Sequence, residues 1–235
     1  MKKFFLTAAL FCAAMNFYAQ TADPALINDG KAALEAKNYQ EAFTKFSTYL
    51  SQTNNQDSVI AYNCGVCADK IKKPAEALKY FDIAVQKKYN LTNAYIGKAG
   101  ALKDLKKMDE YVNTLKEALE ALPGDKKLTK MYATYYVNEG IRAQKAKKIN
   151  EAEEAYKQAI EIQPENLNAL NSLCALYYGQ GAAMLATDAE KAKGVFGQAK
   201  IYLEKLLPLL KADKPAQKRM MDNANTMLNY INSLK

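Results

Sequence analysis

Residues 37–50, "KNYQEAFTKFSTYL", place Glu41 and a small residue, Ala42, four positions before an aromatic, Phe46. Three later segments repeat the arrangement: "KKPAEALKYFDIAV" (72–85), "KKMDEYVNTLKEAL" (106–119) and "KKINEAEEAYKQAI" (147–160). Ala42, Ala77, Tyr111 and Ala152 are equivalent, and Phe46, Phe81, Leu115 and Tyr156 follow each of them by four. A separation of four returns a side chain to the same helix face, so each segment predicts an amphipathic helix. The anchors are spaced 35, 34 and 41 residues apart. A period near 34 means a repeat array, and the third interval predicts a longer helix or loop.

Twelve positions before each anchor stand Gly30, Gly65, Ala99 and Gly140. Two antiparallel helices can cross closely only where side chains are small, so these positions predict a first helix in each repeat, packed on the second. Composition agrees with an all-helical chain. Among 235 residues Gly numbers 10 and Pro 6, while Ala, Leu, Lys, Glu and Gln dominate, and no stretch alternates apolar and polar residues over a strand length.

These segments resemble the tetratricopeptide repeat (TPR) family over roughly residues 23–211. Leu26, Tyr95, Tyr136 and Leu170 fall where that family has a large residue early in helix A, and Pro123 and Pro164 end helix B as the family proline does. The resemblance implies an all-α, right-handed superhelical solenoid of about five helix pairs over 20–211. The fifth pair starts at "LNALNSLCALYYGQG" (167–181), and its crossing position is expected at Cys174. Departures are Tyr111 in an alanine slot, Asn54 and Tyr89 for two prolines, and extra residues around "ATDAEKAKGVF".

Catalytic chemistry finds little footing. The C-x-x-C of Cys64 and Cys67 invites a thiol oxidoreductase as the alternative function, but such a motif should begin a helix after a strand. In the repeat register Cys64, Cys67 and Cys174 occupy sites asking for small apolar residues, a role free cysteine fills. With no histidine, Ser-His and Cys-His pairs are impossible and a four-ligand zinc site would need carboxylates. "GQGAAM" (179–184) lacks the third glycine of a dinucleotide fingerprint. The reading is a protein that is not an enzyme and holds no cofactor or metal. Its net charge of +8 is scattered through clusters such as "KKLTK" and "KAKK", without the concentrated stripe that nucleic acid requires.

A binding module remains. The resemblance implies that the A helices line a concave groove, where their exposed positions carry Asn28 and Lys31, then Tyr62, Asn63 and Val66, then Asn93 and Ile96, then Asn138 and Ile141, then Asn171. Asn28, Asn63 and Asn138 share one offset, two before the crossing residue, and an asparagine can both donate to and accept from an extended peptide backbone. The expected ligand is a protein or peptide. Ile27, Asn93 and Gly97 stand where the carboxylate clamp of chaperone-binding TPRs needs other side chains, which argues against a chaperone tail.

The two ends read differently. "MKKFFLTAALFCAAMNFYAQ" has Lys2 and Lys3, an apolar run shorter than a membrane span and a small residue, Ala19, which predicts a signal peptide over 1–19 and a periplasmic or secreted protein. Phe11 before Cys12 argues against lipid attachment. No later segment is a transmembrane candidate. Residues 212–235 form a last segment in which Met220, Ala224, Met227, Leu228, Ile231 and Leu234 recur at threes and fours. That stripe predicts a helix capping the open face of the final repeat.

Overall fold

The computed structural model describes residues 23–234, so the expected signal segment and Cys12 lie outside the described residues. The described residues form eleven α-helices and no strand. They divide into two units meeting at Tyr89 and Asn90.

The first unit holds α1 (Pro24–Glu35), α2 (Tyr39–Gln52), α3 (Ser58–Lys70) and α4 (Pro74–Gln86). Each start has a local cause. Asp57 accepts from the Val59 and Ile60 amides at 2.9 and 3.0 Å. Asn38 accepts from the Glu41 amide and donates back to its carboxylate, a reciprocal cap. The core sits where α1 meets α2, α2 meets α3 and α3 meets α4, around Phe43, Phe46, Leu50, Ile60, Tyr80 and Phe81.

The crossing glycines are needed, and the neighbour they make room for is an aromatic ring on the second helix. A Cβ on Gly30 would stand 2.5 Å from the Phe46 ring, and one on Gly65 would stand 3.0 Å from the Phe81 ring. The partner is the aromatic four residues beyond the anchor alanine rather than the alanine itself. The alanine admits the helix, and the glycine makes room for the ring.

The second unit holds α5 (Leu91–Asp104), α6 (Met108–Ala121), α7 (Lys126–Lys145), α8 (Ile149–Ile162), α9 (Leu167–Met184), α10 (Ala189–Leu206) and α11 (Pro215–Ser233). The long interval before Ala152 is a longer helix: α7 has 20 residues where α5 has 14. The interval is seven residues longer than the 34 before it, almost two turns, so it returns nearly the same face to the core. Pair five is lengthened likewise, with 18 residues in each helix. Its close approach is Gly181 against the Phe196 ring, where a Cβ would stand 2.9 Å away. The crossing expected at Cys174 is therefore two turns late: Cys174 is buried on the same face, but the ring meets Gly181. An insertion of seven residues preserves hydrophobic phase, so the pattern could not reveal it.

In pair three Ala99 and Leu115 replace glycine and aromatic, and both are buried. Tyr111, in the alanine slot, is buried against Tyr135 at 5.6 Å between ring centroids. α5 and α6 accordingly meet over a shorter stretch than the other pairs.

One device recurs at the turn inside four pairs. Lys37, Lys72, Lys106 and Lys147 have φ of 59°, 59°, 60° and 60°, a left-handed conformation usually left to glycine. It lets the following amides of Asn38, Lys73, Lys107 and Lys148 reach back to Ala33, Ala68, Leu102 and Ala143 carbonyls at 2.8–2.9 Å. Those bonds satisfy carbonyls that a helix end leaves open. α11 lays Ala224 and Ile231 into the cluster of α9 and α10, with Met220, Met227, Leu228 and Leu234 alongside.

Candidate peptide-binding surface

In the first unit, Asn28 and Lys31 are exposed on α1. Tyr62, Asn63 and Val66 are half-buried on α3. The Tyr62 ring meets Phe81 and Tyr89 edge-on at 5.9 and 5.7 Å, and burial raises its phenol. Tyr62 therefore acts first as packing.

The second unit brings its candidates together. Asn138 and Ile141 on α7 and Asn171 on α9 line one cleft of about 340 Å³ with Thr134, Asn166 and Asn168. Asn166 is committed elsewhere. It caps α9 by accepting from the Ala169 amide at 3.0 Å, and its amide donates to Gln163 at 2.9 Å. Ile141 is 37% exposed, an apolar contact beside the amides. Asn93 stands apart, its amide donating to Asn90 Oδ1 at 2.9 Å at the start of α5.

A second cleft of about 470 Å³ adjoins the first, sharing Thr134 and Asn138. Ile96 belongs here, with Met108, Tyr111, Met131 and Tyr135 as its apolar lining. Lys103, Lys127, Lys130 and Arg142 stand around it, all exposed. Along α7 the lining runs 127, 130, 131, 134, 135, 138, 139, 142, a helical stripe on one side. Asp125 anchors the start of α7: its carboxylate accepts from the Lys127 and Leu128 amides and from the Thr92 hydroxyl at 2.5 Å, a bond that lowers its pKa. Met131, Tyr135 and the α7 cations were absent from the sequence-derived candidates. The additional residues before Ala152 were the available signal.

A solved TPR repeats protein from Bacteroides fragilis NCTC 9343 is 46% identical to this chain, covering 88% of it and 100% of that protein, with a TM-score of 0.72. This chain belongs to the tetratricopeptide repeat family. YrrB, described as a TPR protein with an unusual peptide-binding site, shares the TPR fold at 15% identity and a TM-score of 0.50, over 88% of this chain and 94% of that one. No family model and no curated protein matches this chain. Among the described residues, no helix of this TPR protein is long and apolar enough to cross a membrane.

The cysteines of the TPR pairs are free and fully buried. Cys64 lies with its thiol toward the Phe43 carbonyl at 3.9 Å. Burial pushes Cys67 up to about 11 and Cys174 up to about 12, and raises Cys64 further. A thiol held protonated is a poor nucleophile, so the geometry disfavours redox work at Cys64 and Cys67. Among the described residues no group of His, Cys, Asp and Glu is placed to hold a metal.

The shifted thiols predict an alkaline limit. Because each folded pKa lies above the ordinary value of 9.0, the unfolded chain releases these protons first as pH rises. Their contribution is complete below pH 9 and is lost towards pH 11–12. Urea melts from pH 8 to 11 should show falling stability, with a shallower fall in a Cys64→Ala, Cys67→Ala, Cys174→Ala variant. Equal slopes would refute this assignment. Native thiols should also resist alkylation until the chain unfolds.

Proposed function

We propose that this TPR protein is a non-enzymatic adaptor that binds an extended segment of a partner protein across its A helices, and that it works in the cell envelope. The observation that carries the reading is the α7–α9 cleft, where Asn138 and Ile141 from one repeat and Asn171 from the next converge. Amides spaced along neighbouring A helices suit recognition of a peptide backbone, and Ile141 supplies an apolar contact. The peptide-binding site named for YrrB, on the same fold, supports the idea that such a surface can hold a peptide. The envelope location is supported by the opening sequence, with Lys2, Lys3 and the apolar run after them. Asn28 and Lys31, with Asn63 and Val66, are proposed as further contacts within the first unit.

The test begins with a photo-crosslinking residue at Ile141, compared with one at Ile201, an exposed position on α10. A partner captured only at Ile141 is then measured against variants. Asn138→Ala and Asn171→Ala should each weaken it by about two- to tenfold, and the pair by more, because one lost hydrogen bond is worth ~0.5–1.5 kcal/mol. Neither side chain is in the core, so thermal melts should match the parent. Unchanged affinity in the folded double variant would refute the site. Recovery of the protein in the cytoplasmic fraction would refute the location.

A further inference from the structure

We propose that the α5–α6–α7 cleft takes an acidic segment of a partner protein, seating an apolar side chain on Tyr111, Met131 and Tyr135 and placing carboxylates against the lysines around it. This rests on the reading of the A-helix face as a protein-binding surface, and adds the chemistry of the partner.

Two departures from the repeat lie in the cleft wall. Tyr111 occupies a slot where the other B helices carry alanine, and its ring lies against Tyr135 of α7 in the cleft wall. α7 is six residues longer than α5, and its first half contributes Lys127, Lys130 and Met131 to the wall. Aromatic rings and thioethers make a lining that adapts to one apolar side chain or two. A volume of about 470 Å³ is of that order.

Charge selects the rest. Glu139 is the lone carboxylate in the lining, and it is paired with Arg142. Lys103, Lys127 and Lys130 are exposed, and no ion pair holds them among the described residues. The surplus of positive charge around an apolar floor complements an apolar side chain flanked by Asp or Glu. None of these cations occupies a clamp position, which Ile27, Asn93 and Gly97 hold. The shared wall at Thr134 and Asn138 would let one extended segment cross both clefts, which favours a polypeptide over a small anion.

Random dodecapeptides displayed on phage, panned on the full protein, test this. The baits are the parent, Lys127→Glu/Lys130→Glu and Asn138→Ala/Asn171→Ala, each checked by circular dichroism. The parent should enrich peptides with Asp or Glu on both sides of Phe, Leu or Tyr. A synthetic peptide of that consensus should lose about tenfold or more in affinity for the charge-reversed variant, where like charges now meet. It should weaken in Tyr135→Ala, and weaken as salt rises to about 0.5 M, because exposed charges are screened. A consensus without acidic residues, or parental affinity in the charge-reversed variant, overturns the inference. Peptides indifferent to the α7 lysines but lost from Asn138→Ala/Asn171→Ala overturn it and leave the proposed function standing. Failure of every bait to enrich peptides overturns both. Dimerisation of the free protein, abolished by the same lysine variant, would assign the cleft to a second copy and also overturn it.

Discussion

Leucine at Gly140 should lower the unfolding free energy by about 3 kcal/mol, the upper part of the range for overpacking a tight core. A Cβ at this position falls inside contact distance of the Tyr156 ring. That ring has no room to yield: Tyr156 is fully buried, and its hydroxyl donates to Gln144 Oε1 at 2.8 Å. The helices must separate, or the tyrosine must leave its hydrogen bond. A Gly197→Ala variant provides the opposite case. Gly197 lies mid-helix in α10, and an added Cβ meets nothing within 4 Å. Relief of glycine's backbone entropy should stabilise it by about 0.5–1 kcal/mol. Urea titration of both variants gives the comparison. If the two substitutions change stability in the same direction, the close approach of α7 and α8 is not what selects glycine.

Deleting α11 should have the other large effect. Without residues 215–235 the cluster of α9 and α10 loses Ala224 and Ile231, and with them the cover from Met220, Met227 and Leu228. Tyr230 is also lost from Tyr178 and Phe196, whose rings it meets edge-on at 5.7 and 5.9 Å. Full burial of an apolar side chain contributes about 1.5–3 kcal/mol, so two or three such side chains imply a loss on the order of 5 kcal/mol. The exposed face should also bind a hydrophobic dye and promote aggregation. Ile231→Asp probes the same contact without removing the helix and should be destabilising to a lesser degree. A truncated protein that melts with the parent and stays monomeric would show that α11 is an independent element.

Much of this was legible in the sequence, because a repeat states its packing several times. Ala42, Ala77 and Ala152, each followed by an aromatic four later, identify the B helices and their buried face. Gly30, Gly65 and Gly140 identified the A helices in the same way, and the cysteines fell on buried positions. Periodicity reports which face of a helix is apolar, and that is a local property of the chain. It does not report length in whole turns. The crossing in pair five moved from Cys174 to Gly181 because seven residues restore the phase almost unchanged. The left-handed lysines at 37, 72, 106 and 147 are not legible in the sequence, since lysine carries no turn signal and adopts that conformation here where helix-end carbonyls reward it.

The division for the binding surface follows from the same physics. The sequence alone determined that asparagines recur on the A helices and that no histidine is present for catalysis. Only the tertiary structure decided which of them share a cleft: Asn138 and Asn171 do, while Asn93 turns to Asn90. It also decided that Tyr111 meets Tyr135 across α6 and α7, opening a space that neither residue implies by itself. A cleft is made by the distance between elements, and that distance is set by the bulk of side chains far apart in the chain.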